Sequence, residues 1–253
     1  MISAGWPEVA PINSGSKKSD RIDNPKAVYA ACRGMIQLTQ TAVLSDPEDI
    51  SRLTAEFAAT GCARMPGFLA PPILKYLLAW LDEAQFEERN ETGHGEVFGT
   101  TLFVPETDRS WFLLQFIMNK AALFDVACRI TGCPKIANFI GRLHRTTAAA
   151  HQHIDWHHDA VEARTLGICI NLSTEEYTGG VLQIRDPKRQ VRAEVGRAAP
   201  GDAFLFRIDA DWQHRLTRVE SGRRTVGVGW FRTSPERRRN SNDISTIWPI
   251  MLR

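Results

Sequence analysis

Nine residues, His151 to Asp159 (HQHIDWHHD), hold four of the chain's seven histidines and two aspartates. Two His-x-Asp triplets fall within them, His153-Ile154-Asp155 and His157-His158-Asp159. In a strand, residues i and i+2 point to the same side, so either triplet can chelate one ion. A further histidine, His214, follows 55 residues after Asp159 in GDAFLFRIDADWQHRLTRV, and Arg224 comes ten residues later in GRRTVGVGWF. Two imidazoles and one carboxylate capping one face of a metal leave the opposite positions free, which suits a mononuclear non-haem Fe(II) site with O2 and an oxo-diacid co-substrate.

We take His157, Asp159 and His214 as the metal-ligating and catalytic set, because Ile154 and Trp156 read as the packing face of the strand. His153 with Asp155 stays open as the alternative near pair, and His151 and His153 could shape the pocket on the same side. A structural zinc site is disfavoured, since no cysteine sits near these residues. Arg224 shares a strand face with Val226, Val228 and Trp230, whereas Arg223 shares the other with Thr225, Gly227 and Gly229. The Val-Val-Trp face should be buried, so Arg224 is the arginine directed inward. A buried guanidinium is costly unless paired, and the far carboxylate of a dicarboxylate is a fitting two-pronged partner.

These residues need elements to hold them. The chain of 253 residues is long enough to bury a core without disulfides or structural metal. Its 31 basic and 29 acidic residues give no reason to expect nucleic acid as a partner. Five cysteines, with no CxxC among them, argue against a disulfide framework. The N-terminus lacks the pattern of a signal peptide and no apolar run approaches membrane-spanning length, so a soluble, cytoplasmic protein without membrane partners is expected.

Residues 1–24 read as a flexible arm and 25–135 as a mainly helical support region. Within the latter, the apolar spacing predicts a helix from Pro25 to Leu44 and a second from about Ser45 to Thr60, stopped by Gly61. A short strand at CARM follows, then a helix opening at Pro71-Pro72 and one continuous helix from Trp111 to Thr131. The polar stretch 84–110 reads as a loop that could act as a lid. From 136 to 235 the runs IANFIGRL, RTLGICINL, VLQIRD, GDAFLFRI and RRTVGVGWF read as short strands separated by turn residues. An α+β fold follows, a β-sandwich or barrel core braced by N-terminal helices, with 236–253 as a tail.

The set His157-x-Asp159, His214 and Arg224, with Trp230 six residues on and the turn Thr178-Gly179-Gly180, resembles the 2-oxoglutarate/Fe(II)-dependent dioxygenases, specifically their prolyl-hydroxylase-like branch. The resemblance covers about residues 55–233. It implies a double-stranded β-helix (jelly roll) and Fe(II), 2-oxoglutarate and O2 as cofactor and co-substrates. It also implies hydroxylation of an unactivated C–H in an amino acid, peptide or small metabolite, with release of succinate and CO2. In this resemblance Arg224 takes the place of the basic residue that clamps 2-oxoglutarate. Asn171 and Thr147 fall where the family often has tyrosines near the co-substrate, and both depart from that pattern. Retention of Asp159 argues against a halogenase-like variant.

Two other classes fit the same residues: a metal-binding jelly roll of cupin type with isomerase or lyase chemistry, and a non-catalytic binding module. Arg142, Arg145, Arg164, Arg185 and Arg207 could serve an acidic substrate, but a solvated or ion-paired strand face is the favoured explanation.

Overall fold

The computed structural model describes residues 36–93, 96–150, 153–161 and 163–234, so the expected arm and tail lie outside the described residues. All those described fall in one compact unit that begins at Gly34. Chain order starts with two short strands, β1 (Gln37–Leu38) and β2 (Val43–Leu44), which pair antiparallel. This corrects the end of the helix expected from Pro25 to Leu44; residues 25–35 are not described. The reason is local and tertiary together. The Thr39 hydroxyl closes a turn on the Ala42 backbone, and Leu38 donates to the carbonyl of Phe68 while accepting from the Ala70 N–H. Ile36 and Leu38 alternate as well as they fit a helical period, and backbone partners outside the segment decide the outcome.

Helix α1 (Pro47–Thr60) forms as its punctuation requires. Asp46 caps it by accepting from the Asp49 N–H at 2.8 Å, Pro47 opens the first turn, and Gly61 closes it in the left-handed region at φ 70°. Ile50, Leu53 and Phe57 give it one buried face. Strand β3 (Cys62–Met65) and helix α2 (Pro71–Glu83) follow as expected. The stretch expected to be a loop over 84–110 is instead a hairpin of β4 (Glu87–Gly93) and β5 (Glu96–Phe103), leading into a helix at Arg109. Composition misleads there because a hairpin with solvated flanks needs no apolar alternation; Arg89 pairs with Glu87 and lies 5.7 Å over the Phe103 ring.

The single helix expected from Trp111 to Thr131 is two, α3 (Arg109–Met118) and α4 (Ala121–Thr131), with axes bent by 60°. Asn119 breaks it, because its amide exchanges hydrogen bonds with the Phe139 backbone (3.1 and 2.8 Å). Trp111 and Gln115 both donate to the Gly141 carbonyl, docking α3 on the strand β6 (Asn138–Thr147). No single helix among the described residues is long and apolar enough to cross a membrane.

The remaining strands are β7 (Ile154–His157), β8 (Arg164–Asn171), β9 (Tyr177–Gly179), β10 (Leu182–Arg185), β11 (Val191–Val195), β12 (Ala203–Arg207), β13 (Gln213–Leu216) and β14 (Val219–Arg232). They build two antiparallel sheets. The larger runs β3-β12-β8-β14-β6-β5-β4, with β9 paired to β14; the smaller runs β11-β10-β13-β7. Three strands of the larger sheet, β3, β4 and β5, thus come from before residue 136. Both faces of the larger sheet are covered. Leu143, Ile168, Ile170, Leu205 and Phe231 pack in one cluster with the helices, whereas Cys169, Phe204, Phe206 and Val226 pack in another with Leu182, Ile184 and Val195 of the smaller sheet. Two sheets face to face around an apolar core are the jelly-roll arrangement.

Candidate metal centre

The register of the smaller sheet assembles the site. β13 pairs with β7 so that His214 lies opposite His157, and β10 places Ile184 on the other side of His214. Asp159 follows two residues beyond His157, where β7 has ended. Among the described residues, His157, Asp159 and His214 are the one group of three or more His, Cys, Asp or Glu whose ligand atoms converge, all within 4.8 Å of one another. The two imidazole rings have centroids 4.3 Å apart. Nε2 of His214 is 3.5 Å from Asp159 Oδ2 and Nε2 of His157 is 3.9 Å from Oδ1. Both spacings exceed a direct hydrogen bond and suit donors gathered about one first-row metal.

Neighbouring groups orient these donors. Nδ1 of His157 lies 2.7 Å from the Asp155 carbonyl, so it carries the proton and leaves Nε2 as the ligand atom. The Trp230 indole N–H donates to Asp159 Oδ2 at 2.7 Å, and Arg164 lies 3.5 Å from Oδ1 while stacking 4.0 Å over the Trp230 ring. Burial would raise the Asp159 carboxyl, but the contact and charge of His214, the indole N–H and His157 together hold it well below the usual carboxylate range. An anionic carboxylate beside two imidazoles is a donor set that fits a divalent cation. Trp230→Phe, which keeps the ring and deletes the donor, is expected to weaken Fe(II) binding by roughly 10- to 100-fold in an anaerobic titration. Unchanged affinity would show that the indole does not orient the carboxylate.

The other sequence-derived candidates are distributed unevenly. Asp155 is exposed, and its Oδ1 accepts from the Trp156 N–H. His151 lies outside the described residues; His153 is described and half-buried. Arg224 is 4% exposed, on the β14 face that also carries Val226, Val228 and Trp230, and donates to Cys169 Sγ at 3.4 Å. Arg223, by contrast, is exposed and pairs with Glu175. No carboxylate pairs with Arg224 among the described residues. Its stem passes over Gly180, where an added Cβ would stand 2.7 Å from Arg224 Cδ. The Gly-Gly turn therefore leaves the space that the Arg224 side chain occupies.

Asn171 is buried on the β8 position opposite Val226, but its amide is spent on the backbone, donating to Ala198 O at 2.6 Å and accepting from Ser173 N. Thr147 lies opposite Arg223, and Thr146 opposite Arg224. Alternation along β6 thus puts Thr146, His144 and Arg142 on the wall shared with Arg224 and turns Thr147 away from it. Arg145 stacks on Phe86, Arg185 on Trp156 and Arg207 between Phe57 and Trp212.

Three residues of this wall escaped sequence reasoning. His144 is buried, and desolvation first, then the charges of Arg142 and Arg224, hold it well below the usual histidine range, so it stands neutral. Cys169 and Tyr177 flank the Arg224 guanidinium. For Tyr177 a signal existed, its position just before the Gly-Gly turn; for the other two only sheet register reveals the neighbourhood.

Two packed antiparallel sheets with a converging His-Asp-His cluster define a jelly roll with a candidate metal centre. Comparison with known proteins carries this further. Residues 141–232 match the model of the 2OG-Fe(II) oxygenase superfamily. A search of curated proteins finds no match. Among solved structures, the chain is similar to an oxidoreductase of the 2OG-Fe(II) oxygenase family from Burkholderia pseudomallei (TM-score 0.55, 15% identity, covering 75% of this chain and 93% of that one). It is also similar to a Pseudomonas putida prolyl-4-hydroxylase (TM-score 0.51, 15% identity, 73% and 99%). A third is the non-heme alpha ketoglutarate dependent epimerase of nogalamycin biosynthesis (TM-score 0.54, 14% identity, 74% and 84%). At these identities the structures establish the fold, and the stretch that matches the 2OG-Fe(II) oxygenase superfamily model is the one that carries His157, Asp159, His214 and Arg224. That superfamily uses Fe(II), 2-oxoglutarate and O2, and the His-Asp-His cluster fits the metal.

Proposed function

We propose that His157, Asp159 and His214 hold Fe(II) and that Arg224 binds the distal carboxylate of 2-oxoglutarate. On this reading the enzyme hydroxylates an unactivated C–H of an amino acid, a peptide or a small metabolite. When bound, the iron, with 2-oxoglutarate and O2, supplies the oxidising power to cleave a C–H bond, yielding succinate, CO2 and the hydroxylated product. The chain's own residues bind and orient. The Asp155 carbonyl fixes the His157 tautomer. Trp230 and Arg164 hold the Asp159 carboxylate in place. Phe204, Phe206, Val226 and the smaller sheet keep water from the inner wall. Positioning and exclusion of side reactions are what a protein contributes to such chemistry.

One observation carries the reading: Arg224 is a buried cation on the inner wall with no carboxylate partner among the described residues. A buried guanidinium calls for an anion, and a dicarboxylic co-substrate provides it. The near balance of charge gives no support to a nucleic-acid substrate, and the free thiols suit a reducing compartment such as the cytoplasm. Titrating the Fe(II) protein anaerobically with 2-oxoglutarate should produce a weak visible charge-transfer band, and candidate substrates should then release succinate in air. A protein that binds Fe(II) but gives no band would refute the clamp and favour a cupin-type role.

A further inference from the structure

Helix α4 packs in the helical cluster, across the larger sheet from the metal ligands, and its end brings two thiols together. Gly132 stops the helix in the left-handed region at φ 67°, and its N–H donates to the Cys128 carbonyl at 2.8 Å. Such a cap folds the next residue back over the last turn, where an apolar contact commonly closes it. Here that contact is Cys133 on Cys128, with their Sγ atoms 3.7 Å apart. The Cys128 thiol also reaches the Pro134 carbonyl at 3.6 Å, and the Cys133 N–H donates to the Thr131 hydroxyl at 3.3 Å. Both cysteines are half-buried and open to a small solute, whereas Cys62 and Cys169 are buried. A Cβ at Gly132 would meet nothing within 4 Å, so the turn has room to adjust. Burial pushes the Cys133 thiol up to about 11. A sulfur that keeps its proton is a slow nucleophile, so the pair stays reduced at rest.

We propose that Cys128 and Cys133 form a redox-modification site, closing to a disulfide with hydrogen peroxide and reopening with a thiol reductant. Closure fastens the end of α4 to the chain that enters β6. One sulfur attacks the peroxide; the O–O bond breaks, and the thiol proton leaves in water while a sulfenic acid remains. The second sulfur then displaces the sulfenic oxygen. The S–O bond breaks, the S–S bond forms, and the second thiol proton leaves with that oxygen as water. Two thiols are oxidised and one peroxide is reduced to two waters. Helix ends fray before helix centres, and a covalent tie across the last turn removes that freedom. The tie sits next to Pro134, four residues before β6 begins at Asn138. The proposal stands apart from the metal reading, because it uses no residue of that site.

The test is peptide mapping of the full-length protein, loaded with Mn(II) so that no ferrous ion consumes the peroxide. Trypsin cuts after Lys120, Arg129 and Lys135, which places Cys128 and Cys133 on separate peptides. After peroxide treatment and blocking of free thiols, a species joining residues 121–129 to residues 130–135 should appear, two hydrogens lighter than the two peptides together. Dithiothreitol should split it, and Cys128→Ser and Cys133→Ser should each lack it. Amide hydrogen exchange over residues 129–133 should slow several-fold in the oxidised protein and recover on reduction. If both thiols are recovered blocked after peroxide, or carry sulfinic acid in place of the link, the site is overturned. A link that forms while exchange stays unchanged would overturn the fastening of α4.

Discussion

Asp159→Asn is expected to abolish 2-oxoglutarate turnover and to weaken Fe(II) binding by a factor of about 100 or more. The carboxylate is the only anion of the triad, and its surroundings are cationic or neutral: Arg164 at 3.5 Å, two imidazoles and an indole N–H. An amide of the same shape keeps the packing but leaves a divalent ion facing two neutral rings and a guanidinium. Removing one partner from a buried set of charges costs about 3–5 kcal/mol, since the remaining charge stays uncompensated. Anaerobic Fe(II) titration and succinate release measure the two effects separately. Asp155→Asn is the matched control, being exposed and four residues away. Should Asp155→Asn lose the metal while Asp159→Asn keeps it, the near pair would be His153 and Asp155 instead.

Arg224→Ala should leave Fe(II) in place and weaken 2-oxoglutarate binding by a factor of roughly 30 to several thousand, equivalent to about 2–5 kcal/mol for truncating one side of a buried charged pair. The magnitude follows from burial: at 4% exposure the guanidinium is scarcely screened by water. Arg223→Ala, one residue away, should bind the co-substrate normally, because Arg223 faces solvent and already pairs with Glu175. Lysine at 224 restores the charge without the planar fork and should recover only part of the affinity. Equal binding by Arg224→Ala and the parent would show that the anion site lies elsewhere.

The convergence of His157, Asp159 and His214 and the burial of Arg224 were legible in the sequence, whereas several element boundaries around them were not. Histidine and aspartate two residues apart, a distal histidine and an inward arginine are readable because strand alternation is a local rule. It correctly separated Arg224 from Arg223. Helix ends were equally readable where punctuation was strong, as at Asp46, Pro47 and Gly61. The errors fall where local pattern was ambiguous. Residues 36–44 carry apolar spacing compatible with helix or strand, and the 84–110 stretch has no apolar alternation to betray a hairpin. Asn119 looked like a tolerable helix residue until its amide met the Phe139 backbone.

By itself the sequence determined which side chains were candidates for a metal, with two His-x-Asp pairs left open, and which arginine faces inward, because both follow from residue type and a two-residue period. Only the tertiary structure decided which strands lie side by side. That pairing put His214 opposite His157, Trp230 on Asp159 and Tyr177 next to Arg224. Such neighbours are set by long-range backbone hydrogen bonding and by the apolar core between the two sheets, neither of which any short segment encodes alone.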